Sequence, residues 1–167
     1  LNFSAEYRDR NPTNRSDYDD REAYDRIDGA LDPRELTYDR YNTRFGNSKV
    51  EDVSLFYNAV IPTGEMELYS FGSFGRRQGE SGGFNRLPGN SRNVPEIYPD
   101  GFLPLITSDV DDYSFAAGLR GQWSGWDFDL SAVYGVDDFN FGVINSLNTS
   151  LGPTSPTEFD AGTLKSD

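Results

Sequence analysis

The chain contains no cysteine and no histidine. That removes a disulfide framework, thiolate metal sites, imidazole ligands and a Ser-His-Asp triad, and with them much of ordinary enzyme chemistry. It is also short of positive charge, with 15 Lys and Arg against 28 Asp and Glu, for a formal net charge of -13. No basic stripe interrupts this acidity, so nucleic acid is not an expected partner. No stretch approaches the roughly 20 apolar residues of a membrane helix, and no Ala/Leu/Glu/Lys run supplies a long amphipathic one. A membrane barrel stays open, because a transmembrane strand needs only about 10 residues with every second one apolar. The first residues, "LNFSAEYRDR", alternate and read as strand rather than as a signal peptide.

What is present favours β-structure: 14% aromatic residues and 17 glycines, set in segments of strict alternation. Strands are expected near 1–8, 50–61, 66–76, 113–123 and 126–144, separated by long polar loops at 9–49, 77–112 and 145–167. The fold class is therefore all-β, an antiparallel meander of about five long strands. A Thr63-Gly64 turn would pair Ile61 with Met66 and Ala59 with Leu68. Connections alternate long and short, the asymmetry of outer-membrane barrels, whose turns are short at one rim and whose loops are long at the other. Beyond residue 136 the apolar positions move from even to odd numbers, and this slip at Asp137-Asp138 suggests a bulge or a strand leaving its apolar environment.

The stretch "GLRGQWSGWDFDLSAVYG" holds both tryptophans of the chain around Ser124-Gly125. In a two-residue hairpin loop Trp123 pairs with Trp126, and stepping outward puts Gly121 opposite Phe128, Leu119 opposite Leu130, Ala117 opposite Ala132, Phe115 opposite Tyr134 and Tyr113 opposite Val136. One face is then almost wholly apolar, and the other carries Arg120 opposite Asp129. Aromatics gather at both ends of the apolar face, with Trp123, Trp126 and Phe128 near the turn and Tyr113, Phe115 and Tyr134 at the far end. This is the arrangement of membrane-interface girdles. A soluble β-sandwich, with that face packed on a second sheet, would show the same alternation. Closed membrane barrels start at about eight strands, so the segment is expected to be part of a larger barrel.

The runs "NVPEIYPDGFLPLI", "GWDFDLSAVYG" and "NSLNTSLGPTSPTEFDAG" resemble the barrel of TonB-dependent outer-membrane receptors. The resemblance implies a 22-stranded barrel in the bacterial outer membrane, a lumen filled by a plug domain, and energy coupling to TonB through that plug. It implies import of a siderophore complex, cobalamin, haem or an oligosaccharide, with no enzymatic activity. This chain would supply wall and loops, with outer-membrane lipid, the rest of the barrel and the plug as partners. No plug or TonB box is recognisable in these residues.

Candidate ligand contacts in the polar segments are Tyr18, Tyr24, Arg76, Arg77, Phe84, Arg86, Arg92 and Tyr98, since guanidinium groups bond anions and hydroxyls while rings stack on apolar faces. "YPDGF" reads more simply as a turn. Arg120 and Asp129 are expected to form a lumenal pair that chiefly solubilises the wall. No cofactor is expected: the first loop, "SDYDDREAYDRIDGALD", could offer oxygens to calcium, but its spacing fails the calcium-loop pattern and its arginines favour a salt-bridged loop. Asp127 and Asp129 share a strand face without any sign of a glycosidase cleft. Two other functions stay open, a soluble carbohydrate-binding module and a barrel fragment assembling through its strand edges.

Overall fold

The structure, a computed structural model, describes residues 1–167. Its frame is one open antiparallel sheet of six strands in sequence order: β1 (Asn2–Arg10), β2 (Lys49–Thr63), β3 (Met66–Gly82), β4 (Leu105–Trp123), β5 (Trp126–Ile144) and β6 (Phe159–Ser166). Two tight turns, at residues 64–65 and 124–125, lie at one end of the sheet. The three long connections, residues 11–48, 83–104 and 145–158, lie at the other. No second sheet is present, so the sandwich expected as an alternative has no partner layer here.

The β4–β5 register is the one the alternation requires, from Trp123 opposite Trp126 out to Tyr113 opposite Val136. Ser124 and Gly125 take φ of 52° and 83°, the left-handed pair of a type I′ turn whose twist matches the strands. In the β2–β3 turn the central residues are Gly64-Glu65, not Thr63-Gly64, and Thr63 faces Met66 while Ile61 faces Leu68. Gly64 adopts a φ of 71°, so the glycine takes the first central position, where a left-handed conformation costs least. The register is displaced by two residues, and parity, hence the division of side chains between faces, is preserved.

The strand count and lengths differ from expectation. Residues 105–112 and 137–144 continue the ladder without interruption, so no bulge exists at Asp137-Asp138. What changes there is the side on which apolar residues stand. Below Tyr113 they lie on the face carrying Trp123 and Trp126, here termed the front. Above it Ile106, Val110, Phe139, Phe141 and Val143 lie on the back. Backbone hydrogen bonds are indifferent to side-chain polarity, so the register persists while the apolar residues change face. The sixth strand lies in a tail expected to be loop. Its sequence, "FDAGTLKS", lacks alternation, and its pairing slips between Phe141 and Gly142.

The front face forms a continuous apolar band: Phe3 and Ala5 on β1, Leu55, Tyr57 and Ile61 on β2, Leu68 and Phe74 on β3, then the β4–β5 residues. Trp123 and Trp126 are 73% and 78% exposed, and no element covers the band. Immediately above it runs a row of polar contacts. Tyr7 Oη donates to Glu51 at 3.2 Å, Arg76 pairs with Asp109 at 3.4 Å and Asp111 at 3.7 Å, and Lys165 pairs with Asp138 at 3.5 Å. The back face carries ion pairs of its own, with Asp52 held between Arg8 on β1 and Arg77 on β3.

Tyr57 lies across the sheet over Gly72, its direct partner. A β-carbon at Gly72 would stand 2.8 Å from Tyr57 Cε1 and 2.7 Å from the Ser114 carbonyl oxygen. Gly72→Ala is therefore expected to cost about 1 to 3 kcal/mol, because a backbone atom cannot give way as a side chain can. A denaturant midpoint equal to that of the parent protein would refute this.

Candidate functional site

Much of what the chain buries lies in its loops, including Ala23, Tyr24, Asp32, Asn93, Val94 and Phe102. The first loop is a folded excursion whose arms bond each other, from Arg15 N to the Phe45 carbonyl at 2.7 Å and from Asp19 N to the Arg40 carbonyl at 3.0 Å. Its centre is Glu35. One carboxylate oxygen accepts from the backbone N–H of Ala23 at 2.7 Å and of Tyr24 at 2.8 Å, and the other takes the Arg40 guanidinium. A short 3-10 turn, Pro33–Leu36, is capped by Asp32, whose Oδ1 accepts from Arg34 N at 2.9 Å. Proline at the first position loses no hydrogen bond there.

That turn sets the Arg34 guanidinium 4.0 Å from the centre of the Tyr24 ring, which meets Tyr38 edge-on at 5.6 Å. Tyr24 Oη donates to Asp100 Oδ1 at 2.7 Å, tying the first loop to the second. Asn85 Nδ2 donates to Asn42 Oδ1 at 2.9 Å beside it. The second loop is braced by Asn93, whose amide donates to the carbonyls of Pro88 at 3.0 Å and Tyr98 at 2.9 Å. "YPDGF" is the expected turn, closed by Gly101 N to the Tyr98 carbonyl at 3.1 Å with a Gly101 φ of 75°. Tyr98 stacks on Phe102 at 4.6 Å and its hydroxyl reaches the Ser146 carbonyl at 3.4 Å, so the third loop joins the cap.

Several cavities open in this cap, one of them about 490 Å³ around Glu22, Asp25 and Arg26, and two others are lined by some of the expected ligand residues. The first of these two, about 570 Å³, lies between the first two loops, with Tyr24, Arg34, Tyr38, Asn42, Asn85 and Asp100 among its walls. Tyrosine rings, amides and carboxylates together suit a polyhydroxylated or chelating solute, which needs donors, acceptors and flat apolar surface at once. The second, about 530 Å³, lies between the second and third loops. A groove of about 610 Å³ beside the tight turns, next to Arg120 and Asp129, lies at the opposite end of the sheet from this cap.

The expected ligand residues are divided by the fold. Tyr24 lines the first cavity, and Arg86 and Arg92 line the second. Tyr98 packs behind them against Phe102. Tyr18 and Phe84 are exposed and line neither cavity. Arg76 and Arg77 are not loop residues: both lie inside β3, on opposite faces, where aspartates engage them. Arg120 and Asp129 are direct register partners but not an ion pair. Arg120 Nε donates instead to Glu67 on β3 at 2.9 Å, and Asp129 accepts from Tyr69 Oη at 2.6 Å. The Tyr69 ring between them, 5.3 Å from the Arg120 guanidinium, explains the exchange of partners.

In the first loop Asp19, Glu22, Asp32 and Glu35 each pair with an arginine, and no three acidic side chains converge. The residues missed by sequence reading include Arg34, Tyr38, Asn42, Asn85 and Asp100, of which only Asp100 lies in a segment with a local pattern, and that pattern, "YPDGF", marks a turn.

Burial, the hydrogen bond to Asp100 and that carboxylate's charge push the Tyr24 phenol up to about 12. In an opened loop the phenol ionises near its ordinary value of about 10. Between those values the open state holds fewer protons than the closed one, so the Tyr24 contribution to cap stability is fully present and independent of pH below about 10 and is expected to be lost as pH rises from about 10 to about 12. A tyrosinate titration in which every phenol ionises together near 10 would contradict it. No family model, curated protein or solved structure matches this chain.

Proposed function

We propose that the chain is the wall and extracellular loops of an outer-membrane β-barrel transporter of the TonB-dependent type, importing a polar nutrient such as a siderophore complex or an oligosaccharide. The observation that carries this reading is the uncovered apolar band on a one-layer sheet. At about 3.4 Å per residue and a strand tilt of about 40°, the rise from Tyr113 to Trp123 is about 25 Å, the height of a barrel's lipid-facing belt. In water such a band would far exceed the few hundred Å² of contiguous apolar surface a monomer exposes. In lipid it is satisfied, with Trp123 and Trp126 at one interface and the ion-pair row at the other.

Other features agree. The long loops share one end, as extracellular loops do, and the short turns share the other. The outer edges of β1 and β6 are unpaired in this sheet and call for neighbouring strands of the same barrel. The back face would line the lumen, against a plug. The cavity around Tyr24, Asn42, Asn85 and Asp100 would receive the solute. Membership of the TonB-dependent type rests on the resemblance of the three sequence runs.

The absence of cysteine makes the test direct. Leu119→Cys, Leu130→Cys and Asp109→Cys would be labelled in intact cells with a membrane-impermeant maleimide. Asp109→Cys should react, whereas the two band positions should not, and the folded protein should migrate faster on gels than after heating. Equal labelling at all three positions, or recovery of the protein from a detergent-free soluble fraction, would overturn the reading.

A further inference from the structure

Ten of the fifteen cations of this acidic chain are matched to a carboxylate. Arg8, Arg21, Arg26, Arg34, Arg40, Arg44, Arg76, Arg77, Arg120 and Lys165 all form ion pairs. Arg10, Arg15, Lys49, Arg86 and Arg92 do not, and of these five only Arg86 and Arg92 line the cavity between the second and third loops. No Asp or Glu is among that cavity's walls. Glu158, next to Phe159 in sequence, forms no ion pair with either arginine.

The other polar side chains there can all donate. Asn148 uses its side-chain oxygen to accept from Ser150 N at 3.0 Å, which leaves its amide N–H groups unengaged. Ser146 contributes a hydroxyl with no side-chain partner in the protein. Phe102 and Phe159 supply apolar wall. The position of Arg86 is secured through its backbone, which exchanges hydrogen bonds with Phe102 at 2.8 and 2.9 Å. Two unmatched guanidiniums and several free donors, with no acceptor charge, make an incomplete electrostatic set that an oxyanion would complete.

We propose that this cavity is an anion-binding subsite, taking a carboxylate or phosphate group of a solute through Arg86 and Arg92, separate from the first cavity with its tyrosines and amides. This deepens the proposed uptake role, and rests on it only for the side from which the solute arrives. A solute spanning both cavities would bear hydroxyl or amide groups at one end and an acidic group at the other.

Isothermal titration of the detergent-solubilised protein with inorganic phosphate and, separately, with glucuronate tests the subsite without requiring transport. Both probes distinguish the source of the negative group, and binding by either supports the site. Binding should weaken at least tenfold in Arg86→Gln/Arg92→Gln and fall as salt is raised. It should be unchanged in Arg77→Gln, whose guanidinium belongs to Asp52. Far-UV circular dichroism and heat-modifiable migration establish that each variant is folded, and single Arg86→Lys and Arg92→Lys variants, which keep the charge, should retain part of the affinity. Failure of both probes to bind, or binding equal in the double variant and the parent, would overturn the subsite. The barrel reading is judged separately, by the cysteine labelling.

Discussion

Leu130→Arg is expected to lower the yield of folded, membrane-inserted protein severely, at a cost of about 2 to 4 kcal/mol, whereas Val133→Arg should be nearly silent. The two residues are three apart on β5 and almost equally exposed, 73% and 75%. They differ in face. Leu130 stands opposite Leu119 in the middle of the front band, and Val133 stands opposite Ala116 on the back. If both faces met water, two arginines at equally open positions would have equal and small effects. If the front meets lipid, only Leu130→Arg buries a charge in hydrocarbon. Replacing Trp123 and Trp126 with Lys should cost less per residue, about 0 to 1 kcal/mol, because both lie at the edge of the band, where a charged head reaches water. Refolding into lipid vesicles, followed by the gel shift on heating, reads all three substitutions. Matching yields for Leu130→Arg and Val133→Arg would end the lipid-facing assignment.

The second large effect is expected in the cap. Glu35 and Arg40 are 7% and 13% exposed in their side chains, and Glu35 also holds two backbone N–H groups. Glu35→Ala leaves a nearly buried guanidinium without its carboxylate and strands the donors of Ala23 and Tyr24. Breaking such a pair from one side costs about 3 to 5 kcal/mol. Because the contacts of Glu35 are all within the first loop, the loss should be local: fast hydrogen exchange and new proteolytic cuts within residues 11–48, with the sheet retained. The first cavity would lose Tyr24 and Tyr38 as fixed walls, and solute affinity should fall with it. Undiminished protection of the Ala23 and Tyr24 amides in Glu35→Ala would refute this organising role.

The β4–β5 hairpin was legible in advance because three local signals agree on it: a two-residue turn, a tryptophan at each flank and alternation on both arms. In β2–β3 alternation alone decided the faces, and the turn was misplaced by one residue, shifting the register by two without consequence for them. β5 was legible over its full length, 126–144, but the upper part of β4, residues 105–112, was not, since its apolar residues stand on the opposite face from those below Tyr113. β6 was invisible because glycine, lysine and aspartate interrupt any pattern. The cap was less legible still: Tyr24 and Asp100 are 76 residues apart, and no periodicity relates them.

The sequence by itself determined the all-β class, the antiparallel order and the two-sidedness of the sheet, because a strand's period of two is written into consecutive residues and survives any small error of register. Tertiary structure alone decided which polar groups meet. Arg120 has a carboxylate within reach on each neighbouring strand, Asp129 on β5 and Glu67 on β3, and the Tyr69 ring lying between the strands assigns it to Glu67. Arg77 and Arg86 read alike in sequence, yet one is matched to Asp52 and the other faces a cavity without an acid. A charge's partner depends on distances of a few ångströms between segments far apart in the chain, and only the folded arrangement of strands and loops sets those distances.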